Sequence, residues 1–154
     1  MNRVIQTMLA TATALAAATI SLPAAAQFAK PEAAIKYRQS AMTLQNHHLG
    51  RIFAMANGKV PFDAKAVAVD ADVLTTVTLL PFVAFGEGTD KGDSKALPKV
   101  WTDKDGFMAA AKKMQDEVVK LNAAAKGGNL DAIKAAAGET GKACKACHDT
   151  YRKE

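Results

Sequence analysis

The sequence lacks the signals of a β-sheet. In its 154 residues, no stretch alternates apolar and polar side chains for long enough to form paired strands, and no segment repeats at a fixed spacing. Sheet-based folds are therefore excluded, including the βαβ frame of thioredoxin-like redox proteins, and an all-α fold is expected.

Aromatic residues and net charge are both low. Aromatic side chains make up 6% of the chain, and the formal net charge is +5. So mild a positive charge gives no case for nucleic-acid binding, which depends on many Lys and Arg contacts to phosphates. The shortage of aromatic residues also limits how much interior the chain can fill with its own side chains.

Cysteine is scarce as well, and its placement is informative. The two cysteines lie in the run Cys144-Lys145-Ala146-Cys147-His148. This C-x-x-C-H pattern is the attachment signature of c-type haem, because the two thiols can bond to vinyl groups on one porphyrin edge while the imidazole binds the iron. A zinc site would need further soft ligands, and a redox-active C-x-x-C pair would need the missing βαβ context. The motif therefore predicts one covalently attached haem c.

The first 26 residues have the pattern of an export signal. A short positive start at Arg3 precedes an apolar run over residues 4–20, and Ala24-Ala25-Ala26 forms a cleavage signal. An uncleaved anchor is the alternative, which the short run disfavours. We expect residues 1–26 to be a cleaved signal peptide and residues 27–154 to be one domain, located in a Gram-negative-type periplasm without membrane insertion.

The remaining chain is predicted to form four helices. Thr102 and Asp105 resemble a capping box at the start of the third helix. Short and moderate connections favour an antiparallel four-helix bundle. The predicted helices run from Pro31 to Asn57-Gly58, from about Asp63 to Pro81, from Thr102 to Gly127 and from about Leu130 to near the C-terminus.

The fourth predicted helix is short of bulky side chains. Its second half consists mostly of alanine and glycine, although a protein interior must reach crystal-like packing density. A large flat apolar group held at Cys144 and Cys147 would fill that space. The predicted inward side is Leu130, Ile133, Ala137, Thr140 or Gly141, Cys144, Cys147 and His148.

Three parts of the sequence carry a resemblance to a known family. They are the first-helix run Lys36-Tyr37-Arg38-Gln39-Ser40-Ala41, the loop landmarks at residues 85–89 and 100–101, and the C-terminal signature over residues 141–152. Together they resemble the cytochrome c' family, the class II c-type cytochromes with a four-helix bundle, and the similarity covers essentially all of residues 27–154. A haem motif near the C-terminus is specific, since most other c-type cytochromes attach haem near the N-terminus.

The resemblance implies a role for each residue of the haem motif. Cys144 and Cys147 would be the covalent anchors, and His148 would be the proximal iron ligand. Arg152 follows His148 by four residues, and hence lies on the same helical face, where its guanidinium would screen the proximal imidazole.

Four further residues are assigned to haem binding by the resemblance. Arg38 and Gln39 match first-helix positions that contact haem propionates in the family, and arginine suits carboxylates in charge and geometry. Thr89 and Asp93 belong to the loop that borders the haem in relatives.

Met42 decides between two functions. In five-coordinate family members this position is a bulky side chain over the distal face, whereas in low-spin relatives a methionine at the corresponding place binds the iron. The local sequence around Met42 is more similar to the five-coordinate members. His47 and His48 follow Met42 by five and six positions and so face away from it, and neither is expected to bind iron.

The expected function is a periplasmic, five-coordinate, high-spin haem protein that binds nitric oxide and carbon monoxide, carries electrons, or does both. Met42 offers dioxygen no hydrogen bond. The alternative is a low-spin electron carrier of the same fold with Met42 as the sixth ligand. An enzyme is not expected, because no distal acid–base pair of histidine and arginine is evident.

The partner of this chain is expected to be a second copy. The resemblance implies a homodimer through the first two helices, whereas the sequence does not identify a redox partner protein. The apolar outward positions predicted for this contact are Ile52, Phe53, Met55, Val67 and Val69. The alternative is that these residues complete the core of the monomer.

Overall fold

The computed structural model describes residues 28–154, which fold into helices joined by loops. No β-strand occurs in this range, and the prediction of an all-α fold is confirmed. The predicted signal peptide lies outside the described residues. The elements are α1 (Pro31–Ala56), α2 (Ala64–Val77), a 3-10 helix (Leu80–Ala84), α3 (Lys99–Thr102), α4 (Lys104–Gly127) and α5 (Leu130–Tyr151).

Local sequence signals set most helix ends. Pro31 occupies the first position of α1, where its missing N–H costs nothing. The Asp63 carboxylate accepts hydrogen bonds from two amides at the start of α2. Gly128 has φ +69°, a left-handed conformation that ends α4, and the Asn129 side chain then caps α5 through Ala132 N. Three of the four predicted long helices therefore begin where the sequence indicated.

The third long helix begins differently from the prediction. Its cap is Asp103, whose carboxylate accepts a hydrogen bond from Gly106 N, so the predicted Thr102–Asp105 capping box is wrong. Thr102 instead ends the short helix α3. The Tyr151 hydroxyl also donates to the Asp103 carboxylate at 2.8 Å, which ties this cap to the end of α5.

The four long helices enclose one main core. Helix α4 packs against α5 and α2, and α1 packs against α2 and α5. The connections between α1 and α2 and between α4 and α5 are short, as in an antiparallel bundle. The largest fully buried core side chains are Ile52, Val67, Leu74, Val118, Leu121 and Ile133.

The structure corrects two predictions about which apolar residues face outward. Ile52, Met55 and Val67 are buried in the monomer core and Phe53 packs against it, so of the predicted dimer positions only Val69 is exposed, at 64%. These apolar residues recur with the helical period. The period shows that one face of the helix is covered, but it does not show whether a neighbouring helix or a second chain covers it. Leu130, predicted inward, is exposed at the start of α5.

The segment Ala64–Ala84 is apolar enough and long enough to cross a membrane by composition alone, with a hydropathy of 1.7. It also supplies Val67, Ala71 and Leu74 to the core. A helix in the middle of a bundle meets the same criterion, so this is weak evidence for membrane insertion. The expectation that the chain does not insert stays a prediction.

The end of α5 is fastened to the start of α4 and to the loop that precedes α3. Besides the Tyr151–Asp103 hydrogen bond, Leu97 N donates to Tyr151 O and Lys153 N donates to Lys95 O. Gly106 makes this arrangement feasible. A Cβ atom there would lie 2.6 Å from both Asp103 carboxylate oxygens and 2.7 Å from the Tyr151 hydroxyl.

Gly106→Ala should therefore lower the free energy of unfolding by about 1–3 kcal/mol, because the added methyl group forces the Asp103–Tyr151 pair apart. Gly50 provides a matched control, since a Cβ atom there meets nothing within 4 Å. Gly50→Ala, inside α1, should raise the free energy by about 0.5–1 kcal/mol. Denaturant unfolding measures both changes, and equal effects of the two substitutions would contradict this account.

Candidate functional site

A cavity of about 670 Å³ opens between α1, α4, α5 and the loop that follows the 3-10 helix. Four of the nine aromatic residues of the chain form part of its wall: Phe82, Phe85, Phe107 and Tyr151. Met42, Met114, Cys144, Cys147 and His148 also line it. The small residues in the second half of α5 do not line this space. Ala137 and Ala143 belong to the main core, and Phe53 packs against Gly141, so the predicted link between these residues and the cavity is wrong.

The two cysteines lie on the face of α5 that borders the cavity. They are three positions apart in a continuous helix, half-buried, and both are free thiols. Burial raises the pKa of both thiols, and at Cys147 the neighbouring Cys144 adds to the effect. Neutral thiols on one helix face suit thioether attachment of a group that enters the cavity.

His148 lines the same cavity from the last turns of α5. Partial burial lowers the pKa of its imidazole, the charge of Arg152 lowers it further, and Asp149 partly opposes both effects. A lowered pKa keeps the ring neutral to lower pH, and a neutral ring is the form that binds a metal. The structure thus brings His148 and Arg152 together, as the resemblance implied.

The two other histidines of the chain lie away from the cavity. His47 is exposed, and His48 Nδ1 is 2.8 Å from the carboxylate of buried Asp70 on α2. Arg51 Nε is 3.3 Å from the other oxygen of Asp70. Met42, in contrast, lines the cavity from α1. Met42 and the two histidines therefore lie on different faces of α1, as predicted.

Arg38 is a buried cation in the wall of the cavity, only 4% exposed. Its Nη1 donates to Ala84 O and Thr89 Oγ1, and its Nη2 donates to Thr89 O and Ser94 Oγ, at 2.7–2.9 Å. The guanidinium also lies over the Phe85 ring, 4.3 Å from its centroid. All four acceptors are neutral, and within the described residues Arg38 forms no salt bridge with an Asp or Glu side chain. Burial lowers its pKa.

Thr89 and Asp93 do not line the cavity. Thr89 is buried behind Arg38, and the main-chain oxygen of Asp93 accepts a hydrogen bond from Gln39 Nε2 at 2.9 Å. Thr89 and Asp93 thus support the two cavity residues Arg38 and Gln39 from the loop, and their predicted role in haem binding stays a prediction.

The lining of the cavity fits the haem that the sequence motif predicts. Arg38, Lys95 and Arg152 contribute three cations, and no aspartate or glutamate is among the lining residues in the part of the chain described. An apolar, aromatic cavity with cations suits a flat apolar group that carries carboxylates. In residues 28–154 no three His, Cys, Asp or Glu side chains gather to hold a separate metal ion.

Sequence reasoning missed several cavity residues. Lys95 and Ala96 lie in a loop without periodicity, so nothing in the sequence signalled their position. Phe82, Phe107 and Tyr151 follow helical or turn patterns that indicate burial without indicating what they border. Asn46, an exposed residue of α1 that lines the cavity, lies one turn after Met42 and could have been found from that spacing.

An all-α bundle whose last helix presents a C-x-x-C-H motif to a large apolar cavity defines a class of c-type haem proteins. Comparisons with known proteins agree with this class. The family model described as Cytochrome C' matches residues 33–152. Cytochrome c' of Rubrivivax gelatinosus is 54% identical over 129 residues, which is 83% of this chain and 100% of the relative.

Comparison with solved structures indicates the same family. The crystal structure of cytochrome c' from Rubrivivax gelatinosus superimposes with a TM-score of 0.79 at 55% identity, covering 82% of this chain and 100% of that one. A nitric oxide complex of a variant of cytochrome c prime from Alcaligenes xylosoxidans has a TM-score of 0.78 at 48% identity, covering 82% of this chain and 98% of that one. The chain therefore belongs to the cytochrome c' family, whose members are four-helix-bundle proteins with covalent c-type haem.

The Arg38 cradle leads to a stability prediction. Arg38→Lys should lower the free energy of unfolding by about 2 kcal/mol, since a single ammonium nitrogen cannot serve four acceptors arranged for a planar fork. Lys36→Ala, at an exposed position two residues away on α1, should change it by less than about 0.5 kcal/mol. Denaturant unfolding of the three proteins tests this, and an Arg38→Lys variant as stable as wild type would contradict it.

Proposed function

We propose that this chain is an exported, periplasmic haem protein that holds one haem c and binds nitric oxide and carbon monoxide, carries electrons, or does both. When bound, haem supplies the iron that takes up diatomic gases and exchanges electrons. The observation that carries the proposal is the histidine distribution: His148 lines the cavity, whereas His47 and His48 lie elsewhere. Such a cavity favours a five-coordinate, high-spin iron.

The side chains of α1 near Met42 support a preference for nitric oxide and carbon monoxide over dioxygen. Met42 carries no N–H or O–H group. The Thr43 hydroxyl donates to Gln39 O, and the Gln45 amide donates to Val77 O, so both donors are already engaged. Asn46 is exposed, where water competes for its amide. Dioxygen, which gains most from a hydrogen-bond donor, would find little support along this helix.

The family comparison supports gas binding independently. A cytochrome c prime from Alcaligenes xylosoxidans has been solved, as a variant, in complex with nitric oxide. In this chain Met42 would shield the cavity on the side of α1. On the side of α5, desolvation and, second to it, the charge of Arg152 lower the pKa of His148 and favour a neutral imidazole. No residue pair for acid–base chemistry is proposed, and the protein is not proposed to be an enzyme.

Met42 also supports a second candidate function. Its thioether lines the same cavity as His148, and a methionine can serve as an axial ligand in an electron-transfer cytochrome. In that case the chain would be a low-spin electron carrier. The two candidates differ in whether Met42 contributes bulk or an iron bond.

Two substitutions at Met42 separate these candidates. If Met42 only blocks the cavity, Met42→Ala should speed carbon monoxide binding by roughly tenfold or more, equal to about 1.4 kcal/mol in the barrier, because a steric obstacle is removed. Met42→Leu should then behave like wild type, since it keeps the bulk without the thioether. Flash photolysis measures the rates, and Met108→Ala, an exposed methionine of α4, is the control.

The electron-carrier alternative predicts a different response to the same two substitutions. If Met42 binds the iron, Met42→Leu and Met42→Ala should both lose that bond, and both should change a low-spin spectrum to a high-spin one. A low-spin wild-type protein with this response would contradict the gas-binding proposal and favour the electron carrier.

The proposal includes a homodimer formed through α1 and α2. Leu44 on α1 and Val69 on α2 are 46% and 64% exposed, which supplies apolar surface on both helices. The buried positions Ile52, Met55 and Val67 take no part, because they fill the monomer core. The dimer contact is therefore proposed around Leu44 and Val69.

Val69→Asp should convert the proposed dimer into monomers, because it buries an unpaired carboxylate in the contact. Val119→Asp is the matched control, since Val119 is similarly exposed but lies on α4. Analytical ultracentrifugation gives the mass of each protein. A monomeric wild-type protein, or a dimer that survives Val69→Asp, would contradict the proposed contact.

A further inference from the structure

Ser94 connects two sides of the cavity through one hydroxyl group. It is a buried loop residue, and its Oγ accepts a hydrogen bond from Arg38 Nη2 at 2.7 Å and another from Ala96 N at 3.2 Å. A hydroxyl has two acceptor sites, so both are used. The bond from the guanidinium is charge-assisted and therefore strong.

Ala96 in turn pairs with the residue that follows α5. Ala96 and Arg152 form an antiparallel bridge, flanked by hydrogen bonds from Leu97 N to Tyr151 O at 2.9 Å and from Lys153 N to Lys95 O at 2.8 Å. Arg152 has φ −126° and ψ 139°, so its backbone is extended and the helix ends here. The loop pairing thus fixes the backbone that carries the Arg152 side chain.

We propose that Ser94 is a positioning residue for Arg152. Through its hydroxyl, the cradle of Arg38 on α1 holds the loop at Ala96, and Ala96 holds Arg152 beside His148. The two cations on opposite sides of the cavity are then kept at a fixed separation by the hydrogen bonds of Ser94 and by the backbone pairing of residues 95–97 with residues 151–153. The consequence for the iron rests on the proposed function, whereas the structural link does not.

Amide hydrogen exchange, followed by NMR in the purified holoprotein, tests the link itself. Ser94→Ala should speed exchange at Leu97 and Lys153 by roughly tenfold or more, because the loop loses its anchor and opens locally. Ser94→Thr keeps the hydroxyl and should restore slow exchange. Thr78→Ala is the control, since it removes a buried hydroxyl that donates to Leu74 O at the end of α2.

The reduction potential tests whether the link acts through Arg152. Ser94→Ala should shift the potential in the same direction as Arg152→Gln, and Ser94→Ala should add no further shift in the Arg152→Gln background. Ser94→Thr should leave the potential unchanged. A purely structural role for Ser94 would not give this pattern.

Three results would overturn the proposal. The first is unchanged exchange at Leu97 and Lys153 in Ser94→Ala, and the second is equal acceleration there by Thr78→Ala, which would indicate general destabilisation. The third is a shift in potential that persists in the Arg152→Gln background. If the chain held no haem, the potential could not be measured, yet the exchange rates would still decide the role of Ser94, so the two failures are distinguishable.

Discussion

The constraint on which this structure depends is that part of the bundle cannot be filled by its own side chains. Helices α1, α4 and α5 leave a cavity of about 670 Å³ between them, bordered on α5 by Cys144, Cys147 and His148. Protein interiors approach crystal density, so such a space favours a permanent occupant. A covalent anchor at Cys144 and Cys147 makes a group of matching size part of the core.

The second requirement is a charge that the protein keeps buried without a carboxylate. Arg38 offsets part of the cost of desolvation through four neutral acceptors and the face of Phe85. In doing so it fixes the loop between the 3-10 helix and α3. That loop then pairs with the chain end at Arg152, so a single cation organises both the α1 side and the α5 side of the site.

Much of the fold could be predicted from the sequence, because periodicity and caps are local. Pro31, Asp63 and Asn129 mark helix starts by chemistry that acts within one turn. The attachment motif was equally local, since the positions of Cys144, Cys147 and His148 follow from spacing in one helix.

The remaining features depend on contacts between distant residues. The Asp103 carboxylate, which caps α4, also accepts a hydrogen bond from Tyr151, which lies 48 positions later. Periodicity identified Ile52 and Val67 as apolar positions but could not say that α2, α4 and α5 would cover them. The roles of Ser94 and Lys95 arise only when the loop meets α1 and the chain end. Loop residues show no helical or strand periodicity, so no sequence pattern could indicate these roles.

The optical absorption spectrum of the purified protein, recorded in the ferric and ferrous states near neutral pH, tests the central claim most directly. A cavity with His148 as its single iron-binding side chain predicts broad high-spin bands in both states, from haem that stays attached when the protein is denatured in acid. Sharp low-spin bands in both oxidation states would show that a second side chain binds the iron. Haem that is absent or extractable would contradict the account altogether.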